Sequence, residues 1–331
     1  MQIEKFTLSR DDGFMEGWPD LIRLASGRIL VVYNECVAHS NRDHTHITLR
    51  TSDDNGCTWS AKRYIGEETF HGDQWNSIRF SQLSDGRVLL ICDRISGVET
   101  TPETQLYLWE STDDGETWIS RGPMGIYGYC ADKIRELSDG TLLLCISVFN
   151  PATEKTEIMA HRSTDGGKSW SDRILAARSD TYTFIEPAAA ELRDGSIAVF
   201  LRENSQLGYH GFAVISRDKG LTFSEPREIP VPGMHRPFVG YLADGSMLLS
   251  YRERPPRPAP YRNLKAWHFE ESDLTEGQSG TILQIDCGNA EEEDQGYSAW
   301  TQLPDGTILM ANYITDDAPK PYIRGYFITL T

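Results

Sequence analysis

A six-fold repeat constrains the fold of this chain more than any other feature. The turn Leu-x-[Asp/Ser]-Gly-x-[apolar] begins at Leu24 (LASGRILVVY), Leu83 (LSDGRVLLIC), Leu137 (LSDGTLLLCI), Leu192 (LRDGSIAVFL), Leu242 (LADGSMLLSY) and Leu303 (LPDGTILMAN), at spacings of 59, 54, 55, 50 and 61 residues. In each copy an alternating run enters the glycine turn and an apolar run leaves it, which is the signal of a β-hairpin. A period of about 55 residues leaves room for four strands per copy.

A second repeat, S-x-D-x-G-x-[ST]-[WF], runs in phase with the first: SDDNGCTW from Ser52, STDDGETW from Ser111, STDGGKSW from Ser163 and SRDKGLTF from Ser216. This Asp-box is read as structural: the Asp and Gly shape a turn between strands, and the Trp or Phe packs the edge of the unit. Six four-stranded units predict an all-β, six-bladed β-propeller of antiparallel blades, in which radial repetition leaves only short protected edges. At 331 residues the chain exceeds the usual single-domain length, but closed all-β architectures run long as one unit. The Pro-rich RERPPRPAPYRN (252–263) falls inside the fifth repeat, so residues 1–331 are read as one propeller domain.

In a blade of strands A to D, the start of A, the end of B, the B–C loop and the start of C share one face. Strand A is innermost, so its first residues ring the channel mouth. Counting six residues back from each hairpin leucine gives Trp18, Ser77, Ala131, Glu186, Arg236 and Tyr297, which sets a glutamate, an arginine and a tyrosine at one level on three consecutive blades.

The net charge of -17 and pI of about 4.9 argue against nucleic acid and acidic membranes as partners, so an anionic ligand needs a local reversal of potential. No apolar run follows Met1 and no stretch approaches a membrane span, which makes the cytoplasm the expected compartment. The six cysteines contain no C-x-x-C pair, and several lie in apolar strand runs, as expected of buried free thiols. His39, His44 and His46 have no recognisable zinc-site spacing, and no metal or cofactor is expected.

Three stretches carry a resemblance to the sialidase (neuraminidase) superfamily. GYSAWTQLPDGTI resembles the strand bearing that family's tyrosine nucleophile, which implies that role for Tyr297. EPAAAELRDGSIAVFLRE is similar to the segment bearing the glutamate partner and one arginine of the carboxylate-binding triad, here Glu186 and Arg202. YRNLKAW resembles the site of another triad arginine, here Arg262. NRDHTHITLRTSDD follows the first hairpin where the family carries its acid/base aspartate, which implies Asp43. The chain departs from the pattern in blade one. EGWPDLIRL has Gly17 where the family's first arginine stands, and Val37 stands near the place of a further one.

The resemblance implies retaining hydrolysis of a terminal acidic sugar, sialic-acid-like or other. A neutral phenol can approach an anomeric carbon bearing a carboxylate where a carboxylate nucleophile would meet like charge. Independently of the family, Arg236 is expected to supply the positive charge that Gly17 does not. Trp18, Asp20 and Asn76, at the heads of blades one and two, complete the candidate substrate contacts. Two other readings stay open: a glycosidase or lyase acting on a different carbohydrate, and a non-catalytic Asp-box binding propeller.

Overall fold

The computed structural model describes residues 1–39, 43–69, 73–96, 104–255, 262–276, 280–288, 295–316 and 318–330. Six four-stranded antiparallel sheets follow one another as blades, as the two repeats predict; strands A and B are Met15–Arg23 and Ile29–Cys36 in blade one (with C at Thr45–Ser52), Asp73–Gln82 and Val88–Ser96 in blade two, and Arg135–Glu136 and Leu142–Asn150 in blade three. Blades four and five, which carry most of the chemistry, have strands A to D at Phe184–Glu191, Ile197–Glu203, His210–Ser216 and Arg227–Pro232, and at Met234–Tyr241, Met247–Glu253, Asn263–Phe269 and Thr281–Cys287. The Pro-rich stretch therefore joins strands B and C of blade five, although its residues 256–261 lie outside the described residues. A short helix, Glu271–Glu276, links C to D in the same blade. No helix among the described residues is long and apolar enough to cross a membrane.

The sixth blade is not contiguous in sequence. Its strands A to C are Ser298–Gln302, Ile308–Ile314 and Tyr322–Thr329, and its outermost strand is Gln2–Ser9 from the other end of the chain. The leading strand supplies the fourth, outer edge, pairing Gln2 with Thr329 through Ser9 with Ile323. The ring is thus closed by hydrogen bonds between the chain's first and last strands.

Apolar clusters fill the gaps between blades, and the Asp-box glycines set the approach. A Cβ on Gly56 would lie 2.7 Å from Leu309 of blade six, and one on Gly115 would lie 2.9 Å from Leu30 of blade one. Both glycines have positive φ, so the turn and the close packing demand the same residue. Within each box the serine hydroxyl and the aspartate carboxylate are used up locally. Gly56 N donates to Ser52 Oγ at 2.8 Å, while Thr58 N and Oγ1 donate to Asp54 at 2.8 and 2.6 Å, and the same set recurs at Ser111/Asp113. None of the six cysteines is in a disulfide; Cys36, Cys92 and Cys145 are buried in strands, whereas Cys57 and Cys287 are exposed.

Candidate active site

The count of six from each leucine lands on a shared backbone feature. Trp18, Ser77, Glu186 and Arg236 all have left-handed φ, at 56°, 46°, 55° and 49°. Each lies where strand A slips register against strand B, between Gly17 and Asp20, Asn76 and Arg79, Ile185 and Ala188, and His235 and Phe238. A β-bulge re-aims one side chain out of the pleat. In blades three and six the left-handed residue comes one position earlier, at Cys130 (φ 52°) and Gly296 (φ 96°), so Ala131 and Tyr297 follow it instead of occupying it. Left-handed backbone costs a non-glycine residue roughly 1–3 kcal/mol. Its recurrence around one ring marks a place where the aim of a side chain outweighs backbone preference.

Glu186, 3 % exposed, is the hub of the ring. Tyr297 Oη donates to its Oε1 at 2.5 Å, while Arg202 Nη1 and the Arg236 backbone N–H donate to its Oε2 at 2.9 and 3.0 Å. Burial pushes this carboxyl upward, but Arg202, Arg236 and Arg252 together outweigh it and hold the group at about 2. The half-buried Tyr297 accepts at its oxygen from Arg202 Nη1 at 2.9 Å and from Arg252 Nη2 at 3.0 Å. Burial, with the adjacent Glu186 charge, lifts the phenol to about 12 against the pull of Arg252 and Arg202. Gly296 makes this arrangement possible, since a Cβ there would come within 2.9 Å of Arg252 Cγ. The Arg252 guanidinium lies over the Tyr297 ring, 4.2 Å from its centroid.

Arg252, which donates to the Tyr297 oxygen, is not among the residues that the sequence motifs single out, although the repeat contains its signal. It stands ten residues after Leu242, as Arg202 stands ten after Leu192. The same count gives Asn34, Asp93, Ser147 and Tyr313, all buried at the end of a strand B. Arg262 instead heads strand C of blade five, where its carbonyl accepts from Gly288 N at 3.0 Å and Gln295 Nε2 at 2.6 Å. Its charge is nonetheless felt nearby: burial and then Arg202, Arg252, Arg254 and Arg262 hold the His235 imidazole well below its ordinary value. The mouth of an acidic protein is locally cationic.

Arg236 is 3 % exposed; its guanidinium carbon lies 6.0 Å from the Tyr297 centroid, and its Nη1 is buried with no hydrogen-bond partner. On blade one, Trp18 packs against Tyr313 at 5.7 Å, and Tyr313 stands edge-on to Tyr297 at 6.0 Å, forming an aromatic wall. Met15 and Tyr313 fill the space beside Gly17, where a Cβ would meet them at 2.9 and 3.6 Å. The carboxylate of Asp20 is taken up by the scaffold, accepting from Phe80 N at 2.6 Å and Leu21 N at 2.9 Å and pairing with Lys133 Nζ at 3.1 Å. Asn76 Nδ2 donates to Asp93 Oδ2 at 2.9 Å and to Ser77 Oγ at 3.2 Å.

Asp43 lies in the B–C loop of blade one, partly buried, its carbonyl facing Val37 N at 3.4 Å; residues 40–42 before it lie outside the described residues. The neighbouring histidines turn elsewhere: His44 and His46 reach Glu68 at 2.8 and 3.2 Å, and His39 stands edge-on to Trp18 at 5.0 Å. Among the described residues no group of three or more His, Cys, Asp or Glu side chains is arranged to hold a metal ion.

A model of the BNR repeat-like domain matches residues 43–310. The chain belongs to the BNR repeat-like domain family. Within it the chain is a sialidase-like superfamily member, by its six blades and by its relatives. A sialidase of Paraclostridium sordellii is 26% identical over 216 residues, which is 54% of this chain and 53% of that protein. This BNR repeat-like chain therefore spans about half the length of the curated relative. Among solved structures, the Hadza microbial sialidase Hz136 superposes with a TM-score of 0.74 at 19% identity, over 98% of this chain and 68% of that one. The α-L-arabinanase of Penicillium chrysogenum, complexed with arabinobiose, superposes at 0.68 and 14% identity over 99% and 98%. At such identities these two likenesses establish the fold alone.

Proposed function

We propose that this protein is a retaining exo-glycosidase that removes a terminal acidic sugar through a tyrosine nucleophile. One observation carries the reading: the Tyr297 phenol donates to a buried, ionised Glu186 at 2.5 Å while two guanidinium groups point at its oxygen. Structural packing does not call for a phenol there, whereas a nucleophile needs a base within hydrogen-bond reach.

In the first step Tyr297 Oη attacks the anomeric carbon, its proton passes to Glu186 Oε1, and the bond to the leaving oxygen breaks as Asp43 protonates that oxygen. In the second, Asp43 takes a proton from water, the water oxygen displaces the tyrosyl oxygen, and Glu186 returns the proton to Tyr297. Two inversions give retention. With the phenol raised above its ordinary value by burial and the carboxyl held below its own by the arginines, the proton rests on Tyr297 and moves as the new C–O bond forms. A substrate carboxylate clamped by Arg202, Arg252 and Arg236, with Arg262 at the edge, would draw positive charge away from Glu186 and make it a better base.

A second reading is favoured by one feature. Asp93, fully buried at the end of strand B in blade two, acts electrostatically on the same Arg236 that faces Glu186. Two carboxylates on one channel, with Gly17 in place of an arginine, also suit a glycosidase acting on a neutral sugar, the class of the fungal arabinanase.

The test is hydrolysis of aryl glycosides of sialic acids, other ulosonic acids, uronic acids and neutral sugars by wild type and by Tyr297→Phe, which removes one oxygen. Turnover on an acidic glycoside should fall by about 10³-fold or more. A loss below about tenfold refutes the tyrosine, and hydrolysis confined to neutral glycosides selects the second reading.

A further inference from the structure

A second level of the channel lies below the ring. Four residues back from each hairpin leucine, two positions deeper than Glu186 and Tyr297, stand Asp20, Arg79, Lys133, Ala188, Phe238 and Ala299, all buried. Three of them meet across the channel: Lys133 Nζ lies 3.1 Å from Asp20 Oδ1 and 4.4 Å from the centroid of the Phe238 ring, which ties blades one, three and five at this height. Arg79, on strand A of blade two, has no such match. It is 5 % exposed, yet among the described residues its guanidinium makes one hydrogen bond, from Nη1 to the carbonyl of the adjoining Ile78 at 3.2 Å, and no ion pair. The two carboxylates that act on it are committed elsewhere. Asp20 is taken by Lys133 and two backbone N–H groups, and Asp132 by Arg135 at 3.2 Å and the Ala189 N–H at 2.8 Å.

The strongest charge acting on Arg79 is repulsive. Burial and then Arg236, each outweighing the pull of Asp20 or Asp132, bring the Arg79 guanidinium down to about 10. Arg236 is in the same condition one level up: it forms no ion pair among the described residues, and its buried Nη1 has no hydrogen-bond partner. Of the carboxylates that act on Arg236, Glu186 is bonded to Arg202 and Tyr297, and Asp93 accepts from Asn76. The Cys130 thiol acts on both arginines and accepts from Ser77 Oγ at 3.3 Å. Burial pushes this thiol up to about 11, so at neutral pH it is uncharged and supplies no counter-charge. Two guanidinium groups are thus taken out of water beside one another without a paired anion, an arrangement that is costly unless an ion completes it.

We infer that a small monovalent anion of the size of chloride binds in the channel between Arg79 and Arg236, beneath the ring that carries Tyr297. Both guanidinium groups are more than nine-tenths buried, so they offer too little surface to a sugar, whereas a single ion needs only a few N–H donors. In the test, wild type and Arg79→Met are held in sodium gluconate and titrated with sodium chloride at constant ionic strength while the melting temperature is read. Wild type should gain about 3 °C by 100 mM chloride and then saturate, as for an ion bound only by the folded state. In Arg79→Met the gain should shrink at least fivefold, and in gluconate alone this variant should melt no lower than wild type, because an unpaired buried charge has been removed. A wild type indifferent to chloride overturns the site, as does a variant that keeps the full response. Should Arg79→Met fail to fold, wild-type crystals grown from sodium bromide decide. They should show an anomalous peak in contact with the guanidinium nitrogens of both arginines, and an empty channel refutes the ion. A peak with no chloride dependence in solution is binding at crystal concentration only, and refutes it too. None of these readouts uses a glycoside, so the ion site stands or falls apart from the proposed hydrolysis.

Discussion

Carboxylates are held well below their ordinary range in two regions of this molecule, by opposite means. The Asp-box aspartates Asp54, Asp113 and Asp218 sit on exposed turns, each held at about 2 chiefly by a threonine side chain and backbone four residues ahead, with the box serine helping. Glu186 is buried, where desolvation alone would raise it, and it is kept at about 2 by arginines from strands B and A of blades four and five. The turn aspartates depend on neighbours within one motif, so any one box can fail alone. Glu186 depends on side chains 16, 50 and 66 positions away, and they depend on it. Removing its charge leaves the buried Arg202 and Arg236 without the carboxylate that acts on both.

The largest expected effect follows from that asymmetry. Glu186→Gln preserves shape but deletes the base and the counter-charge, so turnover on an acidic aryl glycoside should fall by about 10³-fold, and unfolding in urea should show about 3 kcal/mol of lost stability. Retained stability with lost activity would mean that the arginines do not need the carboxylate, making Glu186 more like a box aspartate than its burial suggests.

Acid should reveal the same coupling. The folded-state value of Glu186 is depressed, so its contribution is fully present above the ordinary carboxylate range and is lost as pH falls through about 2. From the shift to about 2, that contribution is on the order of 3 kcal/mol, with roughly 2 kcal/mol of it gone by pH 3. The stability gap between wild type and Glu186→Gln, measured in urea at pH 6 and pH 3, should narrow accordingly. The box aspartates are common to both proteins and cancel in this difference.

Arg236 tests whether the ring's positive charge serves a ligand or only Glu186. Arg236→Met should reduce the preference for an acidic sugar over its neutral amide by about tenfold, because a guanidinium whose Nη1 has no hydrogen-bond partner is lost from the mouth. An unchanged preference with a lower melting temperature would assign Arg236 to the support of Glu186 alone. The smallest effect is expected on the other side of the comparison: Asp113→Ala should cost about 1 kcal/mol of stability and leave kcat/KM within twofold. A large loss of activity there would mean that the turns communicate with the mouth.

Much of this architecture was legible in the chain because it is written in short-range code. A Leu-x-[Asp/Ser]-Gly turn and a Ser-x-Asp-x-Gly box each satisfy their own hydrogen bonds within a few residues, so six blades and their order could be counted directly. The alignment of Glu186, Arg236 and Tyr297 on one channel also followed from counting back from a common leucine. The same count extended forward, ten residues from each leucine, marks Arg252 beside Arg202, whereas the local motif YRNLKAW points to Arg262.

Other features had no local signature. The pairing of Gln2–Ser9 with Tyr322–Thr329 is decided by closure of the ring, since an edge strand can be recognised only from the edge it covers. The left-handed backbone at Trp18, Ser77, Glu186 and Arg236 falls on residue types with no preference for it, and is imposed by the register of strands A and B. The ionisation of Glu186 and Tyr297 likewise depends on burial and on guanidinium groups brought from distant blades. The sequence by itself determined the repeat, the blade and the residues available at the mouth, because those are matters of spacing and turn chemistry. Only the tertiary structure decided which arginine touches the phenol, which carboxylate is spent on the scaffold and where a proton rests, because Coulomb energy and desolvation depend on distances through space.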